Sequence, residues 1–142
     1  MPNRIQRKRT KGWRKPDNAV IVSRPSRFGS PSKIATLQEM GYLDPHAAAA
    51  SFFEQWLRGG RFGWPTEEGD LRREQILTAL PSLRGKDLAC TCRPDQACHA
   101  DVLLAWAAMP ERELAERVEQ VRVRVDFQRV NDGDSPMYGG QS

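Results

Sequence analysis

Cysteine is scarce in this sequence and long apolar runs are missing, and both features exclude whole classes of protein. The chain has three cysteines, an odd number that cannot close a disulfide framework. No stretch approaches the roughly 18 consecutive apolar residues of a membrane-spanning helix. The polar, basic N-terminus also lacks the apolar segment of a secretory signal. We therefore expect a cytoplasmic protein without a membrane partner, whose cysteines are reduced thiols or metal ligands.

Acidic residues are missing from the first 15 positions, which hold seven lysines and arginines. Because the net charge of the whole chain is only +4, the remaining residues together are acidic. Basic segments of this kind typically bind the phosphates of a nucleic acid or a nucleotide, and a tryptophan among the cations suits base stacking. A solvated arm is the simpler alternative. The candidate nucleic-acid-binding residues are Arg7, Arg9, Lys11, Trp13 and Arg14.

Length and composition predict one domain. The 142 residues include 39% hydrophobic and 28% charged side chains, values that are typical of a globular protein. A chain of this length can bury a core without disulfides. We expect a single domain over residues 1–130, with the basic segment at 1–15. A disordered tail is expected over 131–142, where glycine, serine and aspartate are frequent.

Strand and helix patterns alternate along the chain, which predicts an α/β fold with a small, mostly parallel sheet flanked by helices. Two apolar runs, 19–23 and 87–92, are the expected parallel strands. The turn at 16–18 suggests that part of residues 4–13 pairs with the first of them as a basic N-terminal hairpin strand at the sheet edge. Residues 118–128 fit a helix and a strand equally well.

Two helices are expected in the crossover between the strands. Asp44 followed by a proline is a strong helix start, and the aromatic stripe beyond it indicates a core face. A second helix is expected over 67–80, burying Leu71 among its apolar residues. Residues 24–36 are rich in loop-forming residues and are expected to leave the sheet without regular structure.

All three cysteines lie within ten residues of each other, together with one of the two histidines. Such a cluster offers soft and borderline ligands that suit zinc or iron. Adjacent positions on a helix point about 100° apart, so three cysteines, or two with the histidine, hold a metal more easily than all four. The candidate metal ligands are Cys90, Cys92, Cys98 and His99.

A catalytic thiolate is a second interpretation of the same segment. A helix is expected to begin at Cys98 or His99, and a helix N-terminus lowers the pKa of a cysteine. His99 or Arg93 would then assist Cys98, and Asp101 would orient the imidazole of His99 or exchange a proton. The third interpretation is that the cysteines are ordinary small core residues. His46, at the start of the earlier helix, is interpreted as a structural or surface residue.

The loop after the first strand combines guanidinium, hydroxyl and glycine groups, which suit an anionic ligand. Parallel strands end at the same edge of a sheet, where ligands of open α/β proteins bind. We therefore expect this loop and the cysteine segment to line one site. The candidate ligand-binding residues are Arg24, Ser26, Arg27, Phe28 and Gly29.

Four segments in this order (4–14, 19–31, 83–92 and 98–104) resemble the domain of unknown function 4326 family of bacteria and phages. The resemblance runs from about residue 4 to residue 107. It implies that the arginine loop and the cysteine segment matter, but it implies no reaction, because the family is uncharacterised. Five positions depart from the usual family pattern, namely Ser23, Arg27, Phe28, Ser30 and Thr91.

The sequence thus predicts a protein that binds a nucleotide or nucleic-acid phosphate at the Arg24–Gly29 loop. It would act on that ligand through a Cys/His site, either a metal or a thiolate, as a nucleotide- or nucleobase-modifying enzyme. The alternative is a non-catalytic nucleic-acid-binding module, in which the cysteines hold a structural metal and the basic N-terminus contacts the nucleic acid.

Overall fold

A computed structural model describes residues 2–61 and 63–139 of the chain. Its strands are β1 (Arg4–Gln6), β2 (Ala19–Ile21) and β3 (Asp87–Cys90). Its α-helices are α1 (Ile34–Glu39), α2 (Pro45–Leu57), α3 (Glu67–Ala79), α4 (His99–Ala107) and α5 (Glu111–Asn131). A short 3-10 helix, Leu80–Leu83, continues α3. No helix in the described ranges combines the length and the apolar character needed to cross a membrane.

The strands form one small parallel sheet in the order β1-β3-β2. This confirms the predicted α/β fold, the N-terminal strand and the parallel pairing of the two apolar strands. The hairpin is wrong: β1 does not pair with β2, because both strands run parallel to β3 on its opposite edges. Leu88, Ala89 and Cys90 of β3 are all buried, as expected for a central strand covered on both faces.

Helix starts follow the capping pattern of the sequence. The Asp44 carboxylate accepts the Ala47 N–H at 3.1 Å at the start of α2, so this predicted helix is confirmed. Leu71, expected in the core, is 49% exposed on α3. The loop expected over residues 24–36 ends earlier than predicted, because α1 begins at Ile34.

Helices α2, α3 and α4 supply large buried apolar side chains, including Phe53, Ile76 and Trp106. Helix α5 adds Val121 and Val125, which are four residues apart and therefore on one helical face. The structure thus resolves residues 118–128 as helix. Their alternating apolar pattern arises because this helix also exposes apolar side chains, among them Phe127 at 67% exposure.

A buried ionic cluster ties α3 to α5, and we call it the Asp70 cluster. The Asp70 carboxylate is fully buried and accepts hydrogen bonds from Arg61, Arg73 and Arg129. Burial alone would raise the pKa of Asp70, but the three guanidinium groups outweigh it and lower that pKa. This carboxylate is therefore charged in the folded protein at neutral pH.

The segment after α5, expected to be part of a disordered tail, makes specific contacts up to residue 138. Asp132 and Asp134 form ion pairs with Arg61. The Tyr138 hydroxyl donates a hydrogen bond to Glu74 at 2.7 Å. These contacts hold residues 132–138 against α3 and the loop that precedes it, which the polar composition of the segment did not indicate. The last three positions of the expected tail lie outside the described residues.

Candidate metal centre and anion pocket

The end of β3 and the start of α4 bring the three cysteines together. Their Sγ atoms all lie within 4.8 Å of one another, so Cys90, Cys92 and Cys98 could hold a metal ion. The Cys90 and Cys92 sulfurs are 3.8 Å apart. A tetrahedral zinc with Zn–S bonds of about 2.3 Å requires sulfurs roughly 3.8 Å apart. The spacing of this pair therefore fits a shared ion.

Two histidines flank the cysteine triad. His99 Nδ1 lies 3.7 Å from the Cys98 sulfur, and its Nε2 lies 2.9 Å from the Val22 carbonyl oxygen. A proton on Nε2 is donated to that carbonyl, which turns Nδ1 towards the sulfurs, an arrangement common for metal-binding histidines. His46 Nδ1 lies 3.5 Å from the Cys92 sulfur. Sequence reasoning missed His46, because it is 46 positions from Cys92 and only the fold brings it there.

The cysteine thiols and the His99 imidazole shift one another's pKa values. Hydrogen bonds from Cys92 and Cys98 lower the pKa of Cys90, whereas hydrogen bonds with Cys90 and Cys98, together with burial, raise the pKa of Cys92. Burial opposes a charge on His99, but its contacts with Cys90 and Cys98 outweigh burial and raise its pKa to about 10. These shifts favour the thiolate form of Cys90 beside the charged imidazole of His99.

Arg4 of β1 holds the turn between the second and third cysteines. Its guanidinium donates to the Pro94 carbonyl at 3.1 Å and to the Gln96 carbonyl at 2.7 Å. It also pairs with the Asp101 carboxylate at 3.1 Å. Asp101 is therefore engaged at the protein surface with Arg4, instead of orienting His99 as expected from the sequence. Its effect on the site is to fix β1 against the start of α4.

Cations surround an open cavity of about 250 Å³ beside the sulfurs, which we call the cysteine pocket. The described residues that line it include no aspartate or glutamate. The side chains of Arg9 and Lys33 have no hydrogen-bond or ion-pair partner among the described residues, and Arg24 uses only its Nε, on the Ser30 carbonyl at 2.7 Å. Partial desolvation and the charge of Arg72 lower the pKa of Arg24. The pocket is thus suited to an anion. Its lining includes Arg9, Arg24, Lys33, His46, Cys90, Cys92, Cys98 and His99.

The other residues expected to bind a ligand in the arginine loop shape the loop instead. Phe28 is only 3% exposed and packs in the core, so its ring does not face a ligand. The Ser26 hydroxyl accepts the Phe28 N–H at 3.1 Å. A Cβ at Gly29 would lie 2.9 Å from Arg24 Cγ, so this glycine makes room for Arg24. Arg27 is exposed and lines neither cavity.

Arg72 of α3 also supports this loop and was missed in the sequence. Its guanidinium donates to the carbonyls of Ser26 and Arg27, each at 3.0 Å. An arginine in the middle of a charged helix gives no indication in the sequence that it binds a distant loop. The contact fixes the loop that carries Arg24 to the helical layer.

The basic N-terminal segment divides into two parts. The Arg7 N–H donates to the Cys90 carbonyl at 2.7 Å, and Arg9 lines the cysteine pocket. Lys11 and Arg14 are exposed, and Trp13 is half-buried. The first part therefore belongs to the surroundings of the cysteine triad, and the second part presents free charge to solvent.

A larger cavity of about 850 Å³ is also lined by residues of the arginine loop, and we call it the aromatic cavity. Tyr42, Phe52, Trp56 and Trp64 contribute rings to its lining. The two cavities share one wall, which is formed by Arg24, Ser30, Ser32 and Lys33.

Comparison with known proteins identifies a family and no activity. No curated protein and no solved structure matches the chain. The family described as "Domain of unknown function (DUF4326)" matches residues 5–109. The matched region contains the cysteine triad, the arginine loop and most of the aromatic rings described above. The chain therefore belongs to the DUF4326 family.

Proposed function

We propose that the protein is a metal-dependent enzyme that binds a nucleotide or nucleic-acid phosphate in the cysteine pocket and acts on it there. One juxtaposition supports this function above all: the cysteine triad and the unpaired nitrogens of Arg24 line the same pocket. Three close thiols can hold zinc or iron, and unpaired guanidinium nitrogens bind phosphate.

The open space beside the triad favours a catalytic over a structural ion. Structural zinc is closed by four protein ligands, whereas catalytic zinc keeps a position for water or substrate. When bound, zinc supplies Lewis-acid polarisation and lowers the pKa of water. Arg24, Arg9 and Lys33 would bind and orient the anion. His46, which lines the pocket, is the side chain best placed to take or return a proton.

The first test is metal content. Protein purified without chelators should contain about one equivalent of zinc or iron per chain, as expected for one three-thiolate site. Replacing Cys90 or Cys92 with serine should remove the metal. The matched control is Asp95→Asn, on the exposed turn between the cysteines, which should keep it. Metal-free native protein with one fast-alkylating cysteine would contradict the metal proposal and favour the thiolate interpretation.

The second test is anion binding, measured by calorimetric titration with inorganic phosphate. Arg24→Gln should weaken phosphate binding by about ten-fold, because charge-assisted hydrogen bonds of this kind are among the stronger ones in proteins. Arg27→Gln is the matched control from the same loop and should change affinity less than about two-fold, since Arg27 lines neither cavity. Equal losses in both variants would contradict a specific phosphate site at Arg24.

The non-catalytic alternative makes a different prediction. A nucleic-acid-binding module that uses its basic segment should bind single-stranded oligonucleotides with a steep salt dependence. Replacing Lys11 and Arg14 with glutamine would then reduce binding, and Arg24→Gln would not. That result would reject the proposed pocket and support the alternative.

A further inference from the structure

We propose that the aromatic cavity binds the base of a nucleoside phosphate whose phosphate group lies on the wall shared with the cysteine pocket. This inference rests on the proposed function for the phosphate subsite, and it adds the class of ligand and its orientation. The reacting end of the ligand would then be the phosphate end, beside the cysteines, and the base would be the recognition element.

The shared wall determines this orientation. Arg24 and Lys33 line both cavities, and the hydroxyl residues Ser30 and Ser32 lie between them in the chain. The side chains of Arg24 and Lys33 make no ion pair with a described residue. An anion at this wall therefore gains two cationic partners while the groups attached to it extend into either cavity.

The lining on the far side of this wall is suited to a flat ring. Trp64 and Trp56 are stacked, with ring centroids 5.9 Å apart and an interplanar angle of 24°. Tyr42 and Phe52 form an edge-to-face pair with centroids 5.8 Å apart. Bases stack on aromatic side chains without requiring a particular sequence. By contrast, the cysteine pocket has no tyrosine, tryptophan or phenylalanine among its described lining residues.

The position of Trp64 is built into α3. A Cβ at Gly69 would lie 2.9 Å from two ring carbons of Trp64, so the indole packs directly on the first turn of the helix. An aromatic platform that is already held in place loses little side-chain entropy when a ligand binds. Trp64 is therefore preorganised.

The size of the cavity also fits. Its volume of about 850 Å³ lies within the range of small-molecule sites. Its described lining contains no carboxylate that would repel a phosphate. Arg72, which also lines the cavity, adds positive charge on the side of α3.

The experiment compares ligands that differ in whether they contain the base, the ribose or the phosphate. Metal-loaded protein is titrated with the four ribonucleoside 5′-monophosphates, with the four free nucleosides, with ribose 5-phosphate and with inorganic phosphate, and binding is followed by calorimetry. We expect at least one nucleotide to bind about ten-fold or more tightly than ribose 5-phosphate, the gain typical of one stacked base. If all four nucleotides bind within about two-fold of ribose 5-phosphate, the inference is overturned.

Variants locate the base. Trp64→Ala should reduce nucleotide affinity about ten-fold and leave ribose 5-phosphate unchanged. Phe127→Ala, an exposed aromatic residue that lines neither cavity, is the matched control and should leave nucleotide affinity unchanged. Should Trp64→Ala not fold, Thr36→Trp offers a second test, because Thr36 is exposed at the cavity lining and a larger side chain there blocks entry. Undiminished nucleotide binding in a folded Trp64→Ala or Thr36→Trp protein would reject the aromatic cavity as the base site.

Failure of this inference can be told apart from failure of the proposed function. If Arg24→Gln weakens binding of ribose 5-phosphate while no base improves it, the phosphate subsite stands and the base subsite is rejected. If neither phosphate nor ribose 5-phosphate binds to metal-loaded protein, the proposed function fails. Tight binding of the free nucleosides alone would overturn the shared-wall orientation.

Discussion

Replacing Asp70 with asparagine should cost more stability than any surface substitution of the same kind. The change keeps the shape of the side chain and removes its charge. Arg73 is fully buried, and Asp70 is its one carboxylate partner among the described residues. Removing one member of a buried ion pair typically costs about 3–5 kcal/mol, because the remaining charge stays buried without compensation.

That loss is large against the total stability of a domain, about 5–15 kcal/mol. It corresponds to a decrease in melting temperature of roughly 10–15 °C for a chain of this size. Urea unfolding followed by circular dichroism, at fixed metal concentration, measures it directly. The control is Glu116→Gln, which breaks the exposed pair with Arg112 and should cost less than about 1 kcal/mol.

The pH dependence provides a second check on Asp70. Because the folded protein lowers the pKa of this carboxyl, its stabilising contribution is complete above the unfolded pKa of about 3.9 and is lost as pH falls through the folded pKa. The difference in stability between the wild type and Asp70→Asn should therefore be constant at neutral pH and shrink in strong acid. A loss below about 1 kcal/mol at pH 7 would refute the reasoning.

Two further substitutions test the supports of the site. Arg4→Gln removes the charge that holds the turn at 93–96, so metal affinity measured by competition with a chelator should fall about ten-fold, as for other outer-shell partners; unchanged affinity would contradict this role. Gly29→Ala places a Cβ 2.9 Å from Arg24 Cγ and 3.1 Å from the Ser26 oxygen, so the melting temperature and phosphate affinity should both decrease. Wild-type values for both would show that the loop adjusts freely.

The parallel sheet and the cysteine cluster could be predicted because each has a local signature. A short β-branched run marked β2, a short apolar run marked β3, and the clustering of all three cysteines within ten positions marked the triad. The expected meeting of Arg24 with the cysteines also follows from a local pattern, since parallel strands end at one edge. The structure puts them in one pocket.

What could not be predicted depends on contacts between distant residues. His46 reaches Cys92 only through the crossover of the chain. Leu71 appeared to be a core residue, but α3 buries Asp70 and Arg73 instead, because three arginines from separate elements neutralise the carboxylate. The hydrophobicity pattern of a helix cannot reveal that its charged residues are buried. In α5, the exposed Val123 and Phe127 alternate with the buried Val121 and Val125, so a helical segment has the sequence pattern of a strand.

The ionic interior has a consequence for where this protein can be shortened. The family match ends at residue 109, yet Arg129, Asp132 and Asp134 help to neutralise charges that α3 and the preceding loop bury. A chain that ended at residue 109 would leave Asp70 as the one carboxylate shared by Arg61 and Arg73 among the described residues. It would also expose the part of the core against which Val121 and Val125 pack. The unit that folds is therefore longer than the unit that is recognisable by similarity, and work on the isolated matched segment would study a weakened molecule.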